Sequence, residues 1–158
     1  MDLWHSAGRE FGGGLVRCRL LCAPHHKPGS TFVSTLAWKT EPDAHDYPAA
    51  ASYLSLIASA DQVNELVERL KAASLSRYKA KDLLRAAGLR LLAKDHPHVA
   101  ADLAKVKDNT ALSLVLVVRG DLSRGISVQI ADGYHRVCAS YYLDKNTDIS
   151  CRIIWPGG

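Results

Sequence analysis

Apolar and polar positions alternate most clearly just before residue 132. Ile126, Val128 and Ile130 interleave with Ser127, Gln129 and Ala131, a period of two that predicts a strand with one face buried. Asp132-Gly133 interrupts the alternation, because glycine adopts backbone angles that a side chain forbids. Val137, Cys138, Tyr141 and Tyr142 then recur at helical spacing, so a helix is predicted to start directly after the turn. Upstream, residues 112–118 form a nearly continuous apolar run, as expected for a strand covered on both faces. Residues 89–95 are short and apolar enough for a first strand. Pro97 stands where a helix through Val99, Leu103 and Val106 would begin. A last strand is predicted at 149–155, stopped by Pro156.

Residues 49–88 read as helical throughout. Tyr53, Leu54, Ile57 and Ala58 mark one apolar face. Ser59 and Gln62 fit a capping box, followed by Val63, Leu66, Val67 and Leu70 at spacings of three and four. A third helix is predicted over 79–88, ended by Gly88 just past its last turn. The bland reading of the last two helices is a packed hairpin; the sharper one is a helix-turn-helix, for which the 73–78 connection is long and lacks a glycine. Residues 41–48 are polar and turn-rich and mark a boundary. Before them, 31–38 could form a short strand, and Gly12-Gly13-Gly14 reads as a linker, lacking the lysine and Ser/Thr of a phosphate loop. Three parts are therefore expected: an irregular segment 1–47, a helical subdomain 48–88 and a core 89–156.

Composition adjusts this picture modestly. With 158 residues, 47% hydrophobic and 23% charged, the chain suits one soluble domain. The net charge of +4 is compatible with an anionic ligand without requiring one. Basic residues gather at Arg69, Lys71, Arg77, Lys79, Lys81 and Arg85, with Asp82 the single acid in that span. Such a run is usually a solvated helix face; its minority reading is a nucleic-acid contact surface. Cys18, Cys22, Cys138 and Cys151 follow no zinc spacing, and the adjacent His25 and His26 lack companion ligands, so no metal site and no protein-bound zinc are expected. Cys138 and Cys151 read as buried free thiols. No apolar run reaches the length of a membrane span and no secretory start is present, so a cytoplasmic protein without a membrane partner is expected. The oligomeric state is not legible.

The candidate chemistry lies at the turn. Tyr134, His135 and Arg136 occupy the first turn of the predicted helix, where unpaired N–H groups and the helix dipole favour an anion. The order of elements from about 89 to 155, with residues 131–136 reading Ala-Asp-Gly-Tyr-His-Arg at the turn, resembles the N-terminal domain shared by ParB-type partition proteins and sulfiredoxins. That resemblance implies an α+β fold, a small mixed sheet with packed helices, here preceded by the helical hairpin. It also implies nucleotide or phosphate binding at Gly133, Tyr134, His135 and Arg136, with Lys94, His98 and Lys105 as candidates for the same pocket. ATP or another nucleotide with Mg²⁺ is the cofactor it suggests. Phosphotransfer or hydrolase activity would use Asp132 and His135, or Asp95 in place of Asp132.

The chain departs from the family in two ways. Where sulfiredoxins carry their catalytic cysteine, Tyr134 stands, and a phenol cannot replace a thiolate nucleophile. Partition proteins follow this domain with a helix-turn-helix; here DNA-binding helices are expected only before the core, at 63–87. The alternative functions are a nucleic-acid-binding module using the basic helices 61–87, or a non-catalytic partner-binding protein.

Overall fold

The computed structural model describes residues 36–157. The readings of Gly12-Gly13-Gly14, Cys18, Cys22, His25 and His26 lie outside them, as does most of the strand expected at 31–38. Of that strand Trp38 is described, in an isolated parallel bridge to Leu112. The chain runs α1 (Asp46–Leu54), α2 (Ala60–Ala72), β1 (Leu75–Lys79), α3 (Ala80–Ala87), α4 (Pro97–Lys107), β2 (Val115–Val118), β3 (Gln129–Asp132), α5 (Tyr134–Leu143) and β4 (Asp148–Ile154). The expected α+β class with a small mixed sheet and packed helices is what it forms.

The sheet order is β1-β4-β2-β3. β2 runs parallel to β4, pairing Val115 with Cys151 and Val118 with Ile154, while the two edge strands are antiparallel to their neighbours. All four residues of β2 are buried because alternate side chains enter different cores. Val115 and Val117 join Leu83, Leu84, Val99, Val137 and Cys138 beneath α3, α4 and α5. Leu116 and Val118 join Ala50, Leu54, Val63 and Leu70 beneath α1 and α2. Both faces of the sheet are thus helix-covered, which explains the nearly continuous apolar run at 112–118.

This arrangement corrects three expectations. The segment 48–88 is not a separate helical subdomain, since α1 and α2 close the second face of the sheet and belong to the same compact unit as the core. It is not a helical hairpin either: residues 75–79 form β1, paired antiparallel with β4 from Leu75–Arg152 to Lys79–Asp148. The helical reading overlooked that Leu75 to Lys79 sit at an edge, where only one neighbour is needed and exposed basic side chains are tolerated. Residues 89–95 form no strand; they cross as irregular chain whose Arg90 and Leu92 carbonyls accept hydrogen bonds from the Tyr134 and Tyr142 hydroxyls.

Other local signals are realised. Ser59 and Gln62 form the capping box, with the Ser59 N–H donating to Gln62 Oε1 at 3.0 Å. Gly88 takes the left-handed conformation after α3, and Pro97 opens α4. Cys138 and Cys151 are buried free thiols, the latter pushed up to about 12 by burial. Among the described residues no helix is long and apolar enough to cross a membrane.

Candidate functional site

The Asp132-Gly133 turn joins β3 to α5, and both residues are constrained by packing. Gly133 has φ of 96°, and a Cβ there would lie 3.0 Å from Val115 Cγ2 and 3.0 Å from Arg136 Nε. Gly133→Ala is therefore expected to lose about 1–3 kcal/mol in a urea-unfolding measurement, from the left-handed backbone and the crowding together. An alanine variant as stable as the parent would show that the turn relaxes.

Arg136 is turned into the protein. Its guanidinium is only 12% exposed and is held between two carboxylates. One terminal nitrogen lies 3.3 Å from Asp46 Oδ1, and the other donates to Asp132 Oδ2. Asp46, the first residue of α1, is 1% exposed; it also accepts from the Ser113 hydroxyl and from the Asp43 N–H at 2.9 Å. Burial raises the Asp46 pKa, but the Ser113 hydrogen bond and the Arg136 charge outweigh it and leave the carboxyl below its usual range. For Asp132 burial prevails: it pushes the carboxyl up, the Arg136 charge pulls it down, and the Asp46 carboxylate adds to the rise. The sequence offered Arg136 and Asp132 as binding and catalytic groups. The tertiary structure joins them into an internal ion cluster that ties α5 to β3 and α1. Asp46 was missed because it lies in the polar stretch 41–48, which reads as a boundary.

His135 has the opposite fate. Its ring stacks on His96 with centroids 5.0 Å apart and 18° between planes, and lies 4.7 Å from the ring of His98. His96 is the N-cap of α4 and His98 stands in its first turn, so the starts of α4 and α5 meet at this trio. Neither helix has a side-chain cap or an acidic residue in its first turn. The first N–H groups of each have no intrahelical acceptor, and Pro97 contributes none. His96 Nδ1 is buried without a hydrogen-bond partner among the described residues. Burial lowers the His135 pKa, as do His98, His96 and Arg136 in turn; Asp102 opposes them. His96 is a residue that the sequence pattern does not single out. His96-Pro97-His98 at a Pro-opened helix was the available signal, but its pairing with His135 is a tertiary fact.

The remaining candidates disperse. Tyr134 is committed inward, its hydroxyl donating to the Arg90 carbonyl and its pKa raised by burial. Lys105 stands eight residues after Pro97, about 12 Å along α4 at 1.5 Å per residue, and pairs with Asp102 at 2.8 Å. Lys94 is exposed two residues before His96, and Asp95 is exposed beside it; neither forms an ion pair among the described residues.

The basic run is spread over α2, β1 and α3 rather than one helix face. Arg69, Lys71, Lys79 and Arg85 pair with Glu65, Glu68, Asp148 and Asp82, leaving Arg77 and Lys81 outside such pairs among the described residues. With β1 inserted between α2 and α3, the helix-turn-helix reading fails.

Comparison with protein-family models, curated proteins and solved structures found no match.

Proposed function

We propose that the protein binds a phosphate-bearing ligand where α4 and α5 begin, with His135, His96 and His98 as its side-chain contacts. The observation that carries this reading is the meeting of two uncapped helix starts at three packed imidazoles. Two positive dipole ends brought together are mutually unfavourable, and an anion accepting from their free N–H groups relieves that conflict. The site keeps the phosphate role expected for Gly133 and His135 but moves its cationic partner from Arg136 to the histidines. A nucleotide is the ligand class that the ParB/sulfiredoxin resemblance favours, and ATP with Mg²⁺ is the natural first probe. Asp95 and Lys94 border the trio in sequence and are the groups to test for metal and phosphate contacts. Asp132 is engaged by Arg136, so the reading is one of binding, with no reaction assigned.

A thermal-shift panel of inorganic phosphate, pyrophosphate, ATP and CTP, with and without Mg²⁺, tests it. Ligand that binds only the native state raises Tm. The rise should vanish in His98→Ala, an exposed position whose replacement leaves the core intact. No shift with any of the four would refute the proposal.

The pH dependence has a definite sign. The His135 pKa is lowered on folding from 6.5, so its contribution to stability is complete above 6.5 and is lost as pH falls through the folded value. A bound anion favours the protonated ring, so affinity for sulfate, a phosphate-like dianion at both values, should rise on going from pH 8 to pH 6. Calorimetric titration at the two values checks this, and equal affinities would remove His135 from the site. The groups facing His135 are His96, His98, Asp102 and Arg136, and the same titration in His98→Ala separates its share.

A further inference from the structure

Away from the histidine trio, a largely apolar concavity lies where the parallel strands β2 and β4 end. It encloses about 510 Å³ between Tyr78 of β1, Ile153 of β4, α3 and the 120–128 loop, a volume suited to a small organic molecule. Arg119, the residue after β2, lies at this cavity together with Trp155, the residue after β4. The guanidinium sits 5.1 Å from the Trp155 ring centroid and 5.9 Å from that of Tyr78, and donates to the Tyr78 hydroxyl at 2.8 Å. Among the described residues it pairs with no carboxylate. A half-buried arginine held by a phenol and two aromatic faces keeps donors to spare.

The outer wall of the cavity is held in shape. Asp121 and Ile126 exchange two backbone hydrogen bonds, each 2.9 Å, and the Asp121 carboxylate accepts from the Ser123 N–H at 2.9 Å. The returning chain presses on Gly120, where a Cβ would lie 2.2 Å from the Ile126 carbonyl oxygen. This closed turn presents Leu122 at 97% exposure and Ile126 at 42%, facing solvent beside Trp155 at 60%. Apolar side chains on a braced turn around an aromatic-lined hollow are what a ligand would cover.

We infer that this cavity binds a small aromatic or branched aliphatic carboxylate, its acid group on the Arg119 guanidinium and its apolar body between Trp155, Ile126, Val128 and Ile153. The charge balance selects the class. One guanidinium neutralises one carboxylate, in two parallel hydrogen bonds. A phosphate dianion would leave a charge uncompensated against an apolar wall, with Asp82 also lining the cavity. The inference is independent of the histidine site.

Two-dimensional ¹⁵N–¹H spectra of the full chain test it with phenylacetate, indole-3-acetate and 4-methylpentanoate, each against its neutral amide. The expected result is saturable shifts at Gly120, Gly125 and the Trp155 indole with the acids, and about tenfold weaker binding by the amides. Because that comparison uses the parent protein, it does not depend on a variant folding. Arg119→Gln should weaken the acids to the level of the amides, while His98→Ala leaves them unchanged. Equal binding of acid and amide, or shifts elsewhere in the chain only, would overturn the assignment. A peptide ending in phenylalanine with a free carboxylate is the fourth probe. Its binding in the absence of any response to the small acids would make the occupant a polypeptide end and would also overturn it.

Discussion

Arg136→Ala is expected to lower the unfolding free energy by roughly 3–5 kcal/mol, the scale seen when one partner of a buried ion pair is removed and the other is stranded. Here two carboxylates are stranded, Asp46 at 1% exposure and the half-buried Asp132. The deficit should depend on pH in a way that simple loss of packing would not. In the parent, the lowered Asp46 pKa contributes stability that is present above 3.8 and lost as pH falls through the folded value. The raised Asp132 pKa acts in the opposite sense, giving up stability as pH rises from 3.8 through its folded value. Without Arg136 the Asp132 carboxyl loses the charge that pulls it down while burial and the Asp46 carboxylate go on raising it, so it takes up a proton on folding; Asp46 keeps the Ser113 hydroxyl and the Asp43 N–H. The variant should therefore recover part of its loss between pH 7 and pH 5, as followed by urea denaturation. A deficit of the same size at both values would mean that the guanidinium acts through its packing alone. Phosphate affinity per folded molecule should be little changed, which separates Arg136 as an internal brace from the histidines as ligand contacts.

The second large effect concerns the face covered by α1 and α2. Leu70 is fully buried in α2 and packs in the cluster that holds Leu116, Val118 and Ile154 of the sheet. Leu70→Ala should cost about 2–5 kcal/mol, the transfer term plus the cavity left behind. Because this cluster shares β2 with the one beneath α3–α5, the loss should shift a single unfolding transition rather than a separate helical one. Val117→Ala, on the other face of the same strand, should move that same transition. Far-UV and near-UV circular dichroism recorded together decide the matter. Two transitions, with Leu70→Ala affecting only the first, would restore an independent helical subdomain.

These two experiments bear on the places where sequence and structure part. Arg136 at a helix start looked like an anion contact because positive side chains oppose the dipole there. The conflict is real, but the carboxylates that relieve it are Asp132, four residues back, and Asp46, ninety residues away. Leu70 and its neighbours read as one side of a hairpin because periodicity shows that a face is buried, not what buries it.

Whatever depended on neighbouring residues was determined by the sequence itself. The capping box at Ser59, the left-handed Gly88 and Gly133, Pro97 at the head of α4 and the doubly covered β2 all follow from chemistry within a few positions. Tertiary structure alone decided the short edge strand β1, whose exposed, basic pattern resembles a helix end until β4 is beside it. It likewise decided the functional chemistry at the turn. The sequence brings Asp132, Gly133, His135 and Arg136 together, and folding divides them. Docking α1 buries Asp46 against Arg136, and packing α4 on α5 sets His96 and His98 against His135. The physical reason is range: caps and turns are satisfied within one turn of chain, whereas a buried charge takes its partner from whatever element closes over it.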